Sequence, residues 1–158
     1  MKAIRVLIAD DHSVLRAGLR LLIGAQPDID VVGEAKDGDE AVRKARELRP
    51  DVLLLDLSMP GPPSRDVVRD VLADNDKTRV LVLTMHDDAA YMRASLASGA
   101  TGYLVKKAAD TELMTAIRAV NAGRTGQDGK IHVIYRDRGL CEHGRDGFDA
   151  FLHDFIQG

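Results

Sequence analysis

Hydrophobic and polar residues alternate in blocks between residues 3 and 122. Short apolar runs such as Ile4–Ala9 lack polar alternation, which is typical of strands buried on both faces of a parallel sheet. Longer segments between them carry apolar residues at helical spacing. The pattern predicts strands at residues 4–9, 30–34, 52–57, 79–84 and 101–105, and helices at residues 13–24, 39–48, 64–73, 87–98 and 110–121. Such alternation predicts a doubly wound α/β fold, a parallel sheet with helices on both faces.

Helix boundaries and buried faces follow from the same pattern. Ser13 is predicted to cap the first helix, Arg49-Pro50 to end the second and Ser98-Gly99 to end the fourth. The residues of the first helix predicted to face inward are Val14, Leu15, Leu19, Leu22 and Ile23.

The composition changes after Arg124, and all three Phe residues lie beyond that point. Residues 1–123 are therefore predicted to form one domain, residues 124–130 a linker and residues 131–158 a C-terminal tail. Alternation around Val133 and Tyr135 indicates a weak strand. Apolar residues at i, i+3, i+4, i+7 and i+8 predict an amphipathic helix at residues 148–156.

Overall composition excludes some classes of protein. The net charge of -3 does not favour nucleic acid, and no apolar run is long enough to span a bilayer. Cys141 is alone, which excludes an internal disulfide and fits a reducing cytosol. Met1-Lys2 lead directly into the first strand, so no signal peptide is expected and the chain is predicted to be cytoplasmic.

Several strand ends carry residues with reactive or charged side chains. Asp10 and Asp11 follow the first strand, Asp56 ends the most apolar strand, Thr84 ends the fourth and Lys106 follows the fifth. In an open parallel sheet the carboxyl ends of the strands converge on one edge, where ligands bind. Taken singly, the Asp-Asp pair could simply cap a helix, and Thr84 or Lys106 could be an ordinary strand or surface residue. Together they suit a divalent cation beside a phosphoryl group on a carboxylate.

Four segments carry a resemblance to a known family. The segments are Val-Leu-Ile-Ala-Asp-Asp-His at 6–12, Leu-Leu-Leu-Asp-Leu-Ser-Met-Pro at 53–60, Leu-Thr-Met-His-Asp-Asp at 83–88 and Gly-Ala-Thr-Gly-Tyr-Leu-Val-Lys at 99–106. With these segments the chain resembles the receiver domains of two-component response regulators, and most closely the LuxR/NarL/FixJ-type subfamily. The resemblance covers residues 3 to about 123. It implies a flavodoxin-like, five-stranded parallel sheet of order 2-1-3-4-5.

The resemblance also implies a phosphoryl-acceptor site. Asp56 would accept a phosphoryl group from a sensor histidine kinase. Asp11 would bind Mg²⁺ directly, Asp10 largely through water, and the backbone carbonyl of Ser58 would join Asp56 in completing the metal site.

Three further positions match the residues that sense phosphorylation in receivers. Lys106 would contact the phosphoryl group, Thr84 would move toward it, and Tyr103 would turn inward as Thr84 moves. The sequence departs from the usual pattern after Lys106, where Lys107 replaces a proline.

Two other signals are weaker. His12 could look catalytic beside Asp11, but a residue at the start of a helix is the favoured interpretation. Cys141, His132, His143 and His153 could form a zinc site, although their spacing matches no common pattern.

The output of the protein has three possible interpretations. The chain could be a stand-alone receiver acting through protein contacts, or a truncated or frame-shifted LuxR-type transcription regulator. It could also be a hydrolase of the same fold with Asp56 as nucleophile, although no second catalytic base is placed, and we expect that it is not an enzyme.

The tail lacks a helix-turn-helix pattern and a basic cluster, so DNA binding by this chain is not expected. A homodimer could form through residues 89–121 or through the tail.

Overall fold

The computed structural model describes residues 2–57, 59–84, 98–105, 109–122, 132–136 and 139–143. The strands are β1 (Ile4–Ala9), β2 (Ile29–Ala35), β3 (Val52–Asp56), β4 (Arg79–Thr84), β5 (Gly102–Val105), β6 (His132–Arg136) and β7 (Gly139–His143). The helices are α1 (Ser13–Gly24), α2 (Gly38–Leu48), α3 (Ser64–Asp74) and α4 (Ala109–Ala122), the last being the fifth helix of the sequence prediction. The helix predicted at 87–98 lies outside the described residues except for Ser98, and the one predicted at 148–156 lies entirely outside them.

The strands form one sheet in the order β2-β1-β3-β4-β5-β6-β7. All pairs are parallel except β6 with β7. The predicted order 2-1-3-4-5 is therefore confirmed for the first five strands. Because β3 pairs with both β1 and β4, its carboxyl end lies in the middle of that five-stranded portion.

The apolar strands are buried because helices cover both faces of the sheet. Every residue of β3 is buried. Its alternate residues belong to two cores: Leu53 and Leu55 pack with residues of α2 and α3, and Val52 and Leu54 pack with residues of α1 and α4. This two-sided burial explains why β3 has an apolar run instead of polar alternation.

The predicted buried face of α1 is partly wrong. Leu19 and Ile23 are buried as predicted, but the Val14 side chain is 86% exposed, and Leu15 and Leu22 are 37% and 48% exposed. Val14 precedes Ile23 by nine residues, which at 3.6 residues per turn places the two on opposite sides of the helix. Apolar residues surround much of α1, so the sequence pattern alone could not select the packed face.

One predicted helix end is confirmed and one predicted helix start is wrong. α2 ends at Leu48, and Arg49 adopts a left-handed conformation with φ of 48° before Pro50. Gly99 has φ of 114°, a conformation that favours glycine, but the helix that it is predicted to cap lies outside the described residues. By contrast, Ser13 lies inside α1, and the N-cap is His12, whose side chain makes no capping hydrogen bond. The Ser13 cap was therefore a wrong prediction.

The tail contributes a hairpin to the main sheet. The strand predicted near Val133 is confirmed as β6, which pairs with β5 through Gly102–Val133, Tyr103–Ile134 and Leu104–Tyr135. β7 then returns antiparallel to β6. The division into a domain, a linker and a tail stays a prediction, and so does dimerisation. The hairpin nevertheless means that β5 is not an edge strand of the described sheet.

The helices in the described part of the chain are too short or too polar to cross a membrane.

A bidentate ion pair ties α4 to the segment that precedes β2. Arg118 donates to both carboxylate oxygens of Asp28, at 2.8 and 2.9 Å, and to the Oε1 atom of Gln26 at 2.9 Å. These hydrogen bonds hold the pKa of Asp28 below its usual range, and the carboxylate in turn raises the pKa of Arg118.

Replacing Arg118 with methionine is expected to raise the pKa of Asp28 toward its usual value, because the ionised carboxylate loses its donors. A folded-state pKa that is lowered stabilises the fold above the unfolded-state value, and this contribution disappears as the pH falls through the lowered pKa. The variant should therefore be less stable than the wild type at neutral pH, and the difference should vanish in acid. NMR titration of the Asp28 carboxyl carbon and urea unfolding across pH measure both effects.

The matched control is Arg69→Met. Arg69 is exposed and pairs with Asp66 and Asp70 of its own helix. An Asp28 pKa that is the same in Arg118→Met and in Arg69→Met would contradict the assignment of the shift to Arg118.

Candidate functional site

Three carboxylates meet at the carboxyl end of β1 and β3. Ala9 of β1 pairs with Leu55 of β3, so Asp10 and Asp56 come next on adjacent strands and lie side by side. Each has 1% of its side chain exposed, whereas the Asp11 side chain is 29% exposed. One oxygen from each carboxylate and a ring nitrogen of His12 all lie within 4.8 Å of one another. The structure thus brings together Asp10, Asp11 and Asp56, as expected for parallel strand ends.

Hydrogen bonds from β2 and α1 hold the backbone of Asp10 in place. The Asp10 amide donates to the carbonyl of Ala35 on β2 at 3.0 Å. Arg16, on the first turns of α1, donates through Nη1 to the Asp10 carbonyl at 2.6 Å and through Nε to Glu34 at 3.2 Å. The side chain of Arg16 thereby links α1 to Asp10 and, through Glu34, to β2. Sequence reasoning missed Arg16, although a basic residue five positions after an Asp-Asp pair was a visible signal.

His12 turns its imidazole toward all three carboxylates. Its Nδ1 atom lies 3.2 Å from Asp10 Oδ1, 3.1 Å from Asp11 Oδ1 and 4.0 Å from Asp56 Oδ2. Its backbone amide also donates to Asp10 Oδ1 at 2.9 Å. The interpretation of His12 as a helix-start residue is confirmed by its N-cap position. The ring nevertheless lies at the pocket, as the less favoured interpretation of a histidine beside Asp11 would have it.

Thr84 and Tyr103 lie on neighbouring strands beside the pocket. Thr84 is the last residue of β4, next to Leu83, which pairs with Asp56. Tyr103 pairs with Val82, so Tyr103 and Thr84 project from the same face of the sheet. Both are 1% exposed, and Tyr103 packs in the core formed with α2 and α3. Lys106 and Ser58, the other two predicted site residues, lie outside the described residues.

The electrostatics of the pocket favour a bound cation. Two ionised carboxylates about 5 Å apart near a protein surface repel each other by on the order of 3 kcal/mol. A divalent ion offsets this repulsion, and hard oxygen donors are the ligands that Mg²⁺ prefers. The donor set of Asp10, Asp11 and Asp56 therefore fits Mg²⁺. Such an ion beside a buried carboxylate also neutralises charge during phosphoryl transfer, which depends mainly on positioning and electrostatics.

Comparison with known proteins gives a consistent result. The Response regulator receiver domain family matches residues 6–118. The chain is 44% identical over 128 residues to the Oxygen regulatory protein NreC of Staphylococcus aureus (strain JH9), a match that covers 80% of this chain and 59% of NreC. The chain thus spans less than two thirds of the length of that relative.

Solved structures agree with the sequence matches. A LuxR-family two-component response regulator from Aurantimonas sp. SI85-9A1 superposes with a TM-score of 0.74 and 38% identity, covering 78% of this chain and 88% of that one. The signal receiver domain of the putative response regulator NarL from Mycobacterium tuberculosis gives a TM-score of 0.70 and 34% identity, covering 80% and 100%. The acidic pocket lies at the carboxyl ends of β1 and β3, in the five-stranded parallel portion of the sheet. Together with these matches, it shows that the chain belongs to the response regulator receiver domain family and is of the LuxR/NarL type.

Proposed function

We propose that this chain accepts a phosphoryl group on Asp56 from a sensor histidine kinase and passes the signal on through a conformational change. The observation that carries the proposal is a buried Asp56 carboxylate whose oxygen lies within 4.8 Å of donor atoms from Asp10 and Asp11. Acetyl phosphate with Mg²⁺ tests it, because a competent receiver should gain the mass of one phosphoryl group.

In the proposed transfer, an Asp56 oxygen attacks the phosphorus of phosphohistidine. The new P–O bond makes an acyl phosphate as the P–N bond breaks, and the departing imidazole nitrogen keeps the electron pair and takes a proton from solvent. Asp10, Asp11, Asp56 and the Ser58 carbonyl would hold Mg²⁺, which would neutralise phosphoryl oxygens during transfer. Lys106 would contribute a second positive charge at the phosphoryl group.

The conformational change would begin at Thr84. Its buried hydroxyl at the end of β4 could donate to a phosphoryl oxygen on Asp56, and its movement would change the packing around Tyr103, which is already buried on the same face of the sheet. A charge added at one site would thus bias a two-state packing arrangement at its neighbour. Sustained turnover of a phosphate ester by the wild type would instead favour the hydrolase interpretation.

The donor kinase is proposed to dock on the exposed apolar residues of α1. Val14 and Leu21 have 86% and 77% of their surfaces exposed, and with the partly exposed Leu15 and Leu22 they form an apolar stripe. The stripe begins two residues after His12, at the rim of the pocket. A protein that brings a phosphohistidine to Asp56 must cover this rim, whereas scattered exposed apolar residues have no such positional requirement.

Introducing aspartate at both Val14 and Leu21 is expected to slow transfer from the kinase by about tenfold or more, because docking would bury two unpaired carboxylates beside an already acidic pocket. The donors would be the histidine kinases of the source organism, autophosphorylated with radiolabelled ATP and assayed in parallel. Acetyl phosphate is the matched control, because a small donor needs no docking surface. Equal kinase rates for the variant and the wild type would refute the docking surface but leave the acceptor assignment standing.

A further inference from the structure

We propose that the His12 imidazole is a further protein ligand of the metal pocket, which therefore binds imidazole-preferring divalent ions such as Ni²⁺ in addition to Mg²⁺. The inference rests on the proposed metal site and adds a residue to it. Its starting point is the imidazole ring, which points at the carboxylates although His12 is 60% exposed and could lie in solvent.

The distances from the ring fit a shared coordination sphere. Ligand atoms about 2.1 Å from a small octahedral ion lie about 3 Å apart when adjacent and about 4.2 Å apart when opposite. His12 Nδ1 lies 3.1 Å from Asp11 Oδ1, as adjacent ligands do, and 3.2 Å from Asp10 Oδ1, with which it is also at hydrogen-bond distance. It lies 4.0 Å from Asp56 Oδ2, close to the spacing of opposite ligands.

The backbone keeps the ring in this place. His12 is the N-cap of α1 and its amide donates to Asp10 Oδ1, so Cβ of His12 is fixed relative to the first carboxylate. The ring makes no capping hydrogen bond. Nδ1 instead lies at hydrogen-bond distance, 3.2 Å, from Asp10 Oδ1, so the carboxylate cluster and not the helix end sets the orientation of the imidazole. The exposed side of the ring leaves a path for an ion to enter from solvent.

The chemical consequence is a change in metal preference. Carboxylate oxygens suit Mg²⁺, whereas imidazole nitrogen suits Ni²⁺, Zn²⁺, Cu²⁺ and Fe²⁺. A pocket that combines the two should bind Ni²⁺ more tightly than its carboxylates alone would, while its affinity for Mg²⁺ should depend mainly on Asp10, Asp11 and Asp56.

The test is calorimetric titration of Ni²⁺ and, separately, Mg²⁺ into the full chain at about pH 8, where free imidazole is neutral. Three proteins are compared: the wild type, His12→Ala and Asp11→Asn. In His12→Ala we expect Ni²⁺ affinity at the pocket to fall at least about tenfold, since even outer-shell partners are worth that much. Mg²⁺ affinity should stay within about threefold of the wild type.

The Asp11→Asn variant tests the proposed metal site separately from the proposed role of His12. It should weaken the binding of both Mg²⁺ and Ni²⁺ at the pocket. If Asp11→Asn changes the affinity for neither metal, the proposed metal site itself is wrong. If Asp11→Asn lowers the affinity for both metals but His12→Ala lowers the affinity for neither, only the role of His12 is wrong.

An increase in metal affinity on replacing His12 would also overturn the inference. If His12→Ala binds both metals more tightly than the wild type, the imidazole acts as a cation that an incoming ion displaces. A second readout is independent of affinity: in protein labelled with ¹⁵N-histidine, paramagnetic Ni²⁺ should shift or broaden the Nδ1 signal of His12 at the first equivalent bound. A His12 signal that is unchanged at saturation of the pocket would refute coordination.

Discussion

Replacing Asp56 with asparagine is expected to abolish the gain of one phosphoryl mass that acetyl phosphate and Mg²⁺ produce in the wild type. The amide that replaces the carboxylate carries no negative charge to attack phosphorus, and it removes one of three charged oxygen donors from the metal pocket. Nearly the same side-chain volume is kept, so the buried end of β3 should still pack. Intact-mass spectrometry after a fixed incubation measures the result.

The matched control is Asp70→Asn, which removes a carboxylate from the exposed surface of α3, where the Asp70 side chain is 52% exposed. This variant should gain the phosphoryl mass as the wild type does. Thermal melting checks that both variants are folded, and the loss of one charge from a crowded cluster should not destabilise Asp56→Asn. If Asp56→Asn still gains the mass, the acceptor is another residue and the proposed function fails at its first step.

The acidic pocket could be predicted from the sequence because it depends on topology alone. An apolar run such as that of β3 must be buried on both faces, and strands connected by helices must be parallel. Residues that follow those strands then have to meet at one edge, whatever the details of packing. This is why Asp10 and Asp56, 46 positions apart, could be placed together before their register was known.

Side-chain placement around the pocket could not be predicted in the same way. Apolar residues lie on nearly every side of α1, and its orientation is set by contacts that the periodicity does not encode. Arg16 pairs with Glu34 and the Asp10 carbonyl, and this fixes Leu19 and Ile23 toward the sheet and leaves Val14 outside. The exposed stripe of α1 and its proposed docking role therefore emerge only from the structure.

The orientation of His12 has a similar origin. A histidine after two aspartates can cap a helix, face solvent or turn back toward the carboxylates, and all three fit the same sequence. The backbone hydrogen bond from His12 to Asp10 Oδ1 and the position of Asp56 decide between them. The tail gave a weak strand signal for a different reason: β6 is specified by pairing with β5, a partner distant in sequence.

Replacing Leu54 with alanine is expected to destabilise the fold by about 2–5 kcal/mol, which is the cost of deleting a fully buried leucine side chain. Leu54 is 1% exposed at the middle of β3, where it pairs with Ile8 of β1 and Leu81 of β4. A protein of this size is typically stable by only 5–15 kcal/mol. The substitution should therefore remove a large fraction of the stability, measured by urea unfolding as a lower midpoint with an unchanged slope.

Leu21→Ala is the matched control, because it deletes the same atoms from a side chain that is 77% exposed on α1. Its free energy of unfolding should stay within about 0.5 kcal/mol of the wild type. Equal effects of the two substitutions would mean that β3 is not the packed centre of the sheet. Since Asp56 lies two residues beyond Leu54 on that strand, the same result would remove the structural basis for a buried acceptor. A large effect of Leu54→Ala alone supports both the fold and the position of the site.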